Sequence, residues 1–420
     1  MRQTVFTILV ISGLSLPALP AGAEVTISGF VNVGPFISSS TSGTTGTSNA
    51  ITLANNQDSD RTKDGFSKQG ISSNNSRINV DSNLRLTPWV SVLFRYQVDI
   101  SDTGGALGNT GSPTVNTYLV RSRNSFLGLG GPWGKLKFGT NENIYEQYLY
   151  EADPLDNAAG IGGNLQIFGS PGYGVVFDVG QMNLDPQKGQ AGFYRRTDQN
   201  IWYDSPNMAG VSFGASYSLN AFQKGAVEQH YKPQVISLGA QYKPAYFPFY
   251  LNVAYEIHKD MFGTAVIAGN PNGGDTSLDT GIKAQAGVTV SFLTVGGIIE
   301  QLKYTAQGAA NISAYTRTAF GVHAKVILPF GYIGANAAMA QDATYEGVTM
   351  PGGIATDSGA RFIGLGYYHN LSEKAQLQLT GTYLQNKASA SYALPSGTTA
   401  NYQTAGANHQ CLYTGIKYSF

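Results

Sequence analysis

The chain has 420 residues, with 26 Lys and Arg against 26 Asp and Glu, and charged residues make up only 12% of it, about half the share usual in soluble proteins. A formal charge of zero leaves no electrostatic footprint for nucleic acid, and a single cysteine, Cys411, excludes an intramolecular disulfide framework. With 52 Gly, 25 Tyr and 20 Phe and a mean hydropathy of -0.13, the sequence is too polar for spanning helices and too uncharged for an ordinary soluble enzyme, whereas strands with one apolar and one wet face average to such values.

Residues 1–23 read as a secretory signal. Arg2 supplies the positive start, Val5 to Leu16 the apolar run, Pro17 and Pro20 the helix break, and Ala21-Gly22-Ala23 the cleavage site. The run is too short to cross a bilayer.

Val25 to Val33 then alternates apolar with small or polar residues, and Ser38 to Asn75 reads as a mobile surface loop rich in Ser, Thr, Gly and Asn. The alternation is clearest in Arg77 to Leu86. Arg77, Asn79, Asp81, Asn83 and Arg85 share one face, while Ile78, Val80, Leu84 and Leu86 share the other with Ser82 as the exception. After Thr87-Pro88 the pattern repeats over Val90 to Ile100 with the same polarity. Each run is about the ten residues that a tilted strand needs to cross a membrane.

Further strands are predicted at Tyr118–Gly130, Gly134–Gly139, Arg196–Ser205, Gly210–Leu219, Gln234–Pro244, Phe249–Lys259, Asp279–Ser291, Leu293–Tyr304, Arg317–Leu328, Gly331–Asp342, Ala360–Leu371, Lys374–Lys387 and Gln410–Phe420, sixteen in all. Short turns, such as Gly130–Gly134, Ser205–Gly210, Pro244–Pro248 and Ser372-Glu373, alternate with long loops. An all-β, sixteen-stranded antiparallel transmembrane barrel follows, with long extracellular loops and both termini on the periplasmic side. The chain ends on an aromatic, Phe420, where an interfacial girdle belongs.

One stretch has no strand pattern of its own. Asn141 to Tyr194 is rich in Gly, Asn, Pro and acids, among them Glu142, Glu146, Glu151, Asp153 and Asp156. A loop of that length in a compact domain normally has a job. It is expected to fold into the lumen and narrow it. Strand parity places Arg77, Arg85, Arg95, Arg121, Arg123 and Arg196 on the lumen side, where a charge costs little compared with about 2–4 kcal/mol at mid-membrane on the lipid face.

The stretches Ser76-Arg77-Ile78-Asn79-Val80, Ser122-Arg123-Asn124-Ser125-Phe126-Leu127-Gly128-Leu129, Trp133-Gly134-Lys135-Leu136-Lys137-Phe138-Gly139, Tyr203-Asp204-Ser205-Pro206 and the terminal Phe420 resemble the general porins of Gram-negative bacteria, a trimeric sixteen-stranded family, over essentially the whole chain after residue 23. The resemblance implies a homotrimer in outer-membrane lipid and passive diffusion of small hydrophilic solutes and ions. It also implies a constriction in which acids of the in-folded loop, by position Asp153 and Asp156, face an arginine cluster of Arg77, Arg123 and Arg196. The loop departs from the commonest family motif, having no Pro-Glu-Phe-Gly run, and it is longer.

No enzyme, cofactor or metal site is expected. The histidines, His230, His258, His323, His369 and His409, are scattered without ligand spacing, and no Gly-x-x-x-x-Gly-Lys-Ser/Thr run occurs. A substrate-selective channel is the nearer alternative and needs an aromatic track along the lumen; Trp202, Tyr250 and Tyr368 have inward parity but form no evident track. An adhesin would use the long loops above a plugged lumen. Six inward arginines against few placed acids lean toward anions, a lean that the loop acids can cancel.

Overall fold

The computed structural model describes residues 24–41, 66–100, 120–148, 150–155, 161–163, 167–172, 192–219, 233–261, 277–305, 314–346, 357–390, 392–394 and 406–420. The proposed signal segment, Asp156 and most of the long outer loops lie outside them.

Antiparallel pairing closes the sheet into a barrel of sixteen wall positions. They are β1 (Glu24–Ser40), β2 (Phe66–Ser72 and Arg77–Thr87), β3 (Val90–Ile100), β4 (Val120–Gly131), β5 (Gly134–Glu142), β6 (Arg196–Asp204), β7 (Val211–Ser218) and β8 (Gln234–Tyr242). The second half comprises β9 (Phe249–Lys259), β10 (Leu278–Val290), β11 (Leu293–Thr305), β12 (Ala314–Leu328), β13 (Gly331–Ala340, resumed at Thr344–Glu346), β14 (Ala360–Asn370), β15 (Ala375–Asn386) and β16 (His409–Ser419). Closure is made by β1 on β16, from Phe30 opposite Ser419 to Ser40 opposite His409. Residues Gly29 and Phe420 exchange backbone hydrogen bonds of 3.1 Å across that seam. Each of the sixteen wall positions pairs with a neighbour on both sides, as a barrel in lipid requires.

The sixteen strands match the sequence expectation in number and order, with differences at their ends. Phe66–Ser72, expected within a surface loop, pairs with the upper half of β1, while Arg77–Thr87 pairs with the lower half. A polar strand at the watery rim carries no apolar alternation, so its ladder of backbone hydrogen bonds was invisible in composition. The two parts of β2 meet at Asn74 and Asn75, whose φ values of 36° and 63° are in the left-handed region that asparagine tolerates. Likewise β5 continues to Glu142 and β12 begins at Ala314, beyond the expected Gly139 and Arg317.

Alternation in β9 shows the two environments directly. Leu251, Val253 and Tyr255 are exposed on the outer face, whereas Tyr250, Asn252, Ala254, Glu256 and His258 are buried inside. At the end of the barrel with the short turns, exposed aromatics ring the wall: Trp89, Trp133, Tyr246, Phe247, Phe292 and Phe330, with Phe420 joining them. Aromatic rings with one apolar and one wet side belong at a membrane–water boundary. The girdle is therefore built into the turns themselves.

Candidate functional site

The chain leaves β5 at Glu142 and re-enters the wall at Arg196, and the described residues between fold inward. A one-turn helix, α1 (Ile144–Gln147), and a 3-10 turn, Tyr150–Ala152, start this loop. Its apolar side chains Tyr145, Ile161, Ile167, Phe168, Phe193 and Tyr194 are buried in one cluster with inward-facing wall residues such as Ala254, Leu302, Tyr304 and Phe362. The wall is cut to receive them. A Cβ added at Gly239 would lie 2.6 Å from Ile144, one at Gly281 2.7 Å from Phe193, and one at Gly321 2.8 Å from Phe168.

Polar contacts fix the loop along the same route. Glu300 of β11 accepts hydrogen bonds from the Tyr145 and Tyr194 hydroxyls, both at 3.0 Å, from the Gly169 N–H at 2.7 Å, and from Arg317 Nη1 at 2.9 Å. Arg317 of β12 also donates to the carbonyls of Ile167 (2.6 Å) and Ser170 (2.9 Å). Both side chains of this ion pair are fully buried. Lys283 of β10 places its ammonium 4.5 Å from the ring centroids of Tyr145 and Tyr194. Burial, then the Glu300 charge, pushes both tyrosine hydroxyls well above their ordinary range, so they remain donors. Next to that anchor, Asn336 of β13 donates to the Gly162 carbonyl (2.9 Å), and on the far side the Ile161 N–H donates to Asn74 Oδ1 at the break in β2 (3.1 Å). The loop thus crosses the lumen between opposite walls.

The arginines converge at the start of this loop. Arg77 lies within electrostatic range of Arg123, Arg196, Glu142 and Tyr150. Arg123 meets Asp99 at 2.7 Å and Glu142 at 3.5 Å. Arg196 binds Glu142 through Nη2 and donates from Nε to Asn124 Oδ1 at 3.0 Å. The second Glu142 oxygen accepts from the Tyr150 hydroxyl at 2.8 Å. Burial, with Glu142 next, raises that hydroxyl far above its usual range and keeps it protonated. Arg77 packs its guanidinium 4.9 Å from the Phe30 centroid, with Lys417 at 4.7 Å from the same ring. It has no carboxylate partner among the described residues.

Two bulges make this convergence possible. Between β3 and β4 the register runs Tyr96 opposite Ser125 and then Val98 opposite Ser122, so Arg123 and Asn124 together oppose Gln97. Both are buried inside, at 6% and 7% exposure, which strict alternation forbids. Between β5 and β6 a second irregularity leaves Asp198 and Gln199 opposite Thr140, with Gln199 at φ 49°. Simple parity counted back from Ile201 therefore does not reach Arg196; the bulge and the adjoining loop aim it.

Of the other expected residues, Asp153 accepts the Leu155 N–H at 3.1 Å, and the carboxylate in contact with Arg123 and Arg196 is Glu142. Arg95 forms a two-point pair with Asp81 at 2.6 and 3.1 Å. Arg85 is exposed near the short turns, its Nε 3.4 Å from the Thr87 carbonyl. The backbone of Arg121 pairs with Asp99 in register, and its side chain lies outside the described residues. Sequence reasoning missed Glu142 as the shared partner, and Glu300 with Arg317 as the anchor. Inward parity in β11 and β12 was the available signal for the last two. Trp202, Tyr250 and Tyr368 are 1%, 6% and 2% exposed, closed off from solute rather than strung along an open path.

A family model described as Gram-negative porin matches residues 7–389. Among solved structures, the anion-selective porin from Comamonas acidovorans superposes with a TM-score of 0.68 at 19% identity, covering 95% of this chain and 100% of that one. The trimer form of OmpT from Vibrio cholerae superposes at 0.55 with 13% identity, over 95% and 99% of the two chains. Chitoporin from Vibrio furnissii is 28% identical over 185 residues, which cover 42% of this chain and 40% of that protein's length.

Proposed function

The chain belongs to the Gram-negative porin family, a family of outer-membrane channels, and from that premise we propose that its narrowest point is framed by Arg77, Arg123 and Arg196 on the wall and Glu142 at the root of the in-folded loop. The porin lets small hydrophilic solutes and ions diffuse passively. The observation that carries the assignment of the constriction is the meeting of three guanidiniums with one loop-root carboxylate, on a segment anchored to both sides of the lumen. Fixed opposite charges across a narrow wet gap create a transverse field. Ions follow the charged walls, while apolar molecules would have to displace oriented water. Single-channel recording in planar bilayers tests this: stepwise, ohmic conductance without saturation by one solute is expected, and a barrel that passes no current would overturn it.

The chitoporin match supports a second reading, a channel selective for a sugar. Chito-oligosaccharide added to one side then blocks the current in a saturable way. The burial of Trp202, Tyr250 and Tyr368 favours the general channel.

Three copies form the working unit, in keeping with the trimeric OmpT form among the structural relatives. Native mass measurement in mild detergent should give three times the mass of one mature chain, and a monomer there would count against this assembly. Residues 1–23 act as the export signal, so the mature protein should begin at Glu24, where β1 begins, as amino-terminal sequencing would show.

A further inference from the structure

Between the three arginines and the short turns, the inward positions of β2 to β6 form cross-strand rows. Nearest the turns, Ser91 of β3 is opposite Gly130 of β4, Gly130 is opposite Lys135 of β5, and Lys135 is opposite Asp204 of β6. One step toward the constriction, Asn83 is opposite Leu93, Leu93 is opposite Gly128, Gly128 is opposite Lys137, and Lys137 is opposite Trp202. Glycine stands in the middle of both rows, so the wall dips there. A Cβ added at Gly130 would lie 3.1 Å from the Leu93 side chain. A cavity of about 490 Å³ opens at this dip, within the size range of small-molecule sites. It is lined by Asn83, Ser91, Leu93, Lys135 and Asp204 of the wall and by Gln147 of α1, at the root of the in-folded loop.

Lys135 is the unusual member. It stands directly opposite Asp204, and opposite charges in that position ordinarily pair. Asp204 is engaged elsewhere. Lys137 Nζ meets its Oδ2 at 2.6 Å, and Trp202 Nε1 donates to its Oδ1 at 2.6 Å. Lys137 is in turn held between aromatic rings, 5.1 Å from the Phe126 centroid and 4.7 Å from that of Trp202. The Lys135 ammonium is therefore exposed with no hydrogen bond or ion pair among the described residues. The side chains of Asn83, Ser91 and Gln147 likewise make no hydrogen bond among them. One uncompensated cation, two amides and a hydroxyl thus share one hollow, beside a carboxylate that is already neutralised.

We propose that this cavity binds a small polyhydroxylated carboxylate, of the sugar-acid class, at the periplasmic mouth of the channel. Its place at that mouth rests on the porin reading, which puts the short turns in the periplasm. Lys135 meets the carboxylate as a point charge. Asn83, Ser91 and Gln147 exchange hydrogen bonds with the hydroxyls, and Leu93 lies against the carbon chain. Asp204 keeps lone pairs for a further hydroxyl, but with Lys137 bound to it the carboxylate gives little hold to an ammonium, which disfavours an amino acid. A phosphate is better matched by an arginine fork than by one lysine. All of these groups are solvated, so the hold is weak and release is fast.

Saturation-transfer NMR of the full-length porin in detergent, with gluconate as the probe, tests the site. Saturable binding is expected, and K135Q should weaken it roughly tenfold. K374Q, at the turn between β14 and β15, should bind gluconate as the unaltered protein does. Hexanoate has the charge without the hydroxyls, and glucose the hydroxyls without the charge; each should bind roughly tenfold less well than gluconate. Equal binding of hexanoate would reduce the cavity to a bare charge and overturn the proposal, as would undiminished binding by K135Q. Binding lost in R77Q and kept in K135Q would place the solute at the constriction and overturn it equally. Heat-modified electrophoretic mobility reports whether each variant folds. Single-channel current from the same preparation reads the open channel whether or not gluconate binds, so failure of this site and failure of the porin reading are told apart.

Discussion

Replacing Arg317 with methionine is expected to release the in-folded loop from the wall while the barrel stays closed. Arg317 neutralises Glu300 and supplies the donors for the Ile167 and Ser170 carbonyls. Without it, the hydrogen bonds left to the buried Glu300 carboxylate among the described residues are those from the Tyr145 and Tyr194 hydroxyls and the Gly169 N–H, with the Lys283 ammonium nearby. Breaking a buried pair from one side costs about 3–5 kcal/mol. Movement of the loop and entry of water relieve that cost. The strand ladders on either side of Arg317 are backbone bonds and are untouched. The variant should therefore fold, show several conductance levels in place of one, and become open to protease cleavage within residues 143–195. Glu300→Gln added to Arg317→Met removes the stranded charge and should restore part of the resistance. A single conductance level and a protease-resistant loop in Arg317→Met would show that the apolar packing of Phe168, Phe193 and Tyr194 holds the loop unaided.

The barrel was legible in the sequence because a lipid face and a wet face impose a period of two on every strand, and the turn aromatics repeat at one end. The lumen was less so. Arg77 sits in a strand whose alternation is broken only at Ser82, and parity alone puts it inside. Arg123 and Asn124 cannot both face inward by parity, and nothing in Arg123-Asn124-Ser125 announces a bulge. Glu142 was counted among the loop acids, but its role depends on β5 running three residues beyond Gly139, the last residue of the apolar pattern. The Glu300–Arg317 pair was hidden for a different reason. Each residue is an ordinary inward-facing charge in its own strand, and the loop segments it holds are far away in sequence. The glycines beneath the loop looked like composition; with Ile144, Phe193 and Phe168 in place they are a footprint.

The charge pattern at the constriction leads to the second large effect. Three guanidiniums, Arg77, Arg123 and Arg196, gather near two carboxylates, Asp99 and Glu142, and Lys417 shares the Phe30 ring with Arg77, so positive charge is in excess. Arg123 and Arg196 are each held by acids, so their fields are largely cancelled within a few ångströms. Arg77 rests on Phe30 without a carboxylate. Arg77 should therefore carry the uncancelled positive field at the constriction. A unit charge about 6 Å from a passing ion in water contributes ~0.7 kcal/mol, or about a threefold change in local ion occupancy. Arg77→Gln should shift the reversal potential in a salt gradient toward cations by an amount of that order. Glu142→Gln uncovers positive charge and should shift it the other way. Both shifts should fade toward 1 M salt, where the Debye length falls to about 3 Å. Arg123→Gln is the discriminating control. It removes a cation already paired and exposes Asp99, so it should move selectivity toward cations while also disturbing the β3–β4 bulge and the conductance itself; Arg77→Gln should change selectivity with the single-channel current nearly intact. A reversal potential that Arg77→Gln leaves unmoved at low salt, with Glu142→Gln still effective, would place the selective charge elsewhere along the lumen.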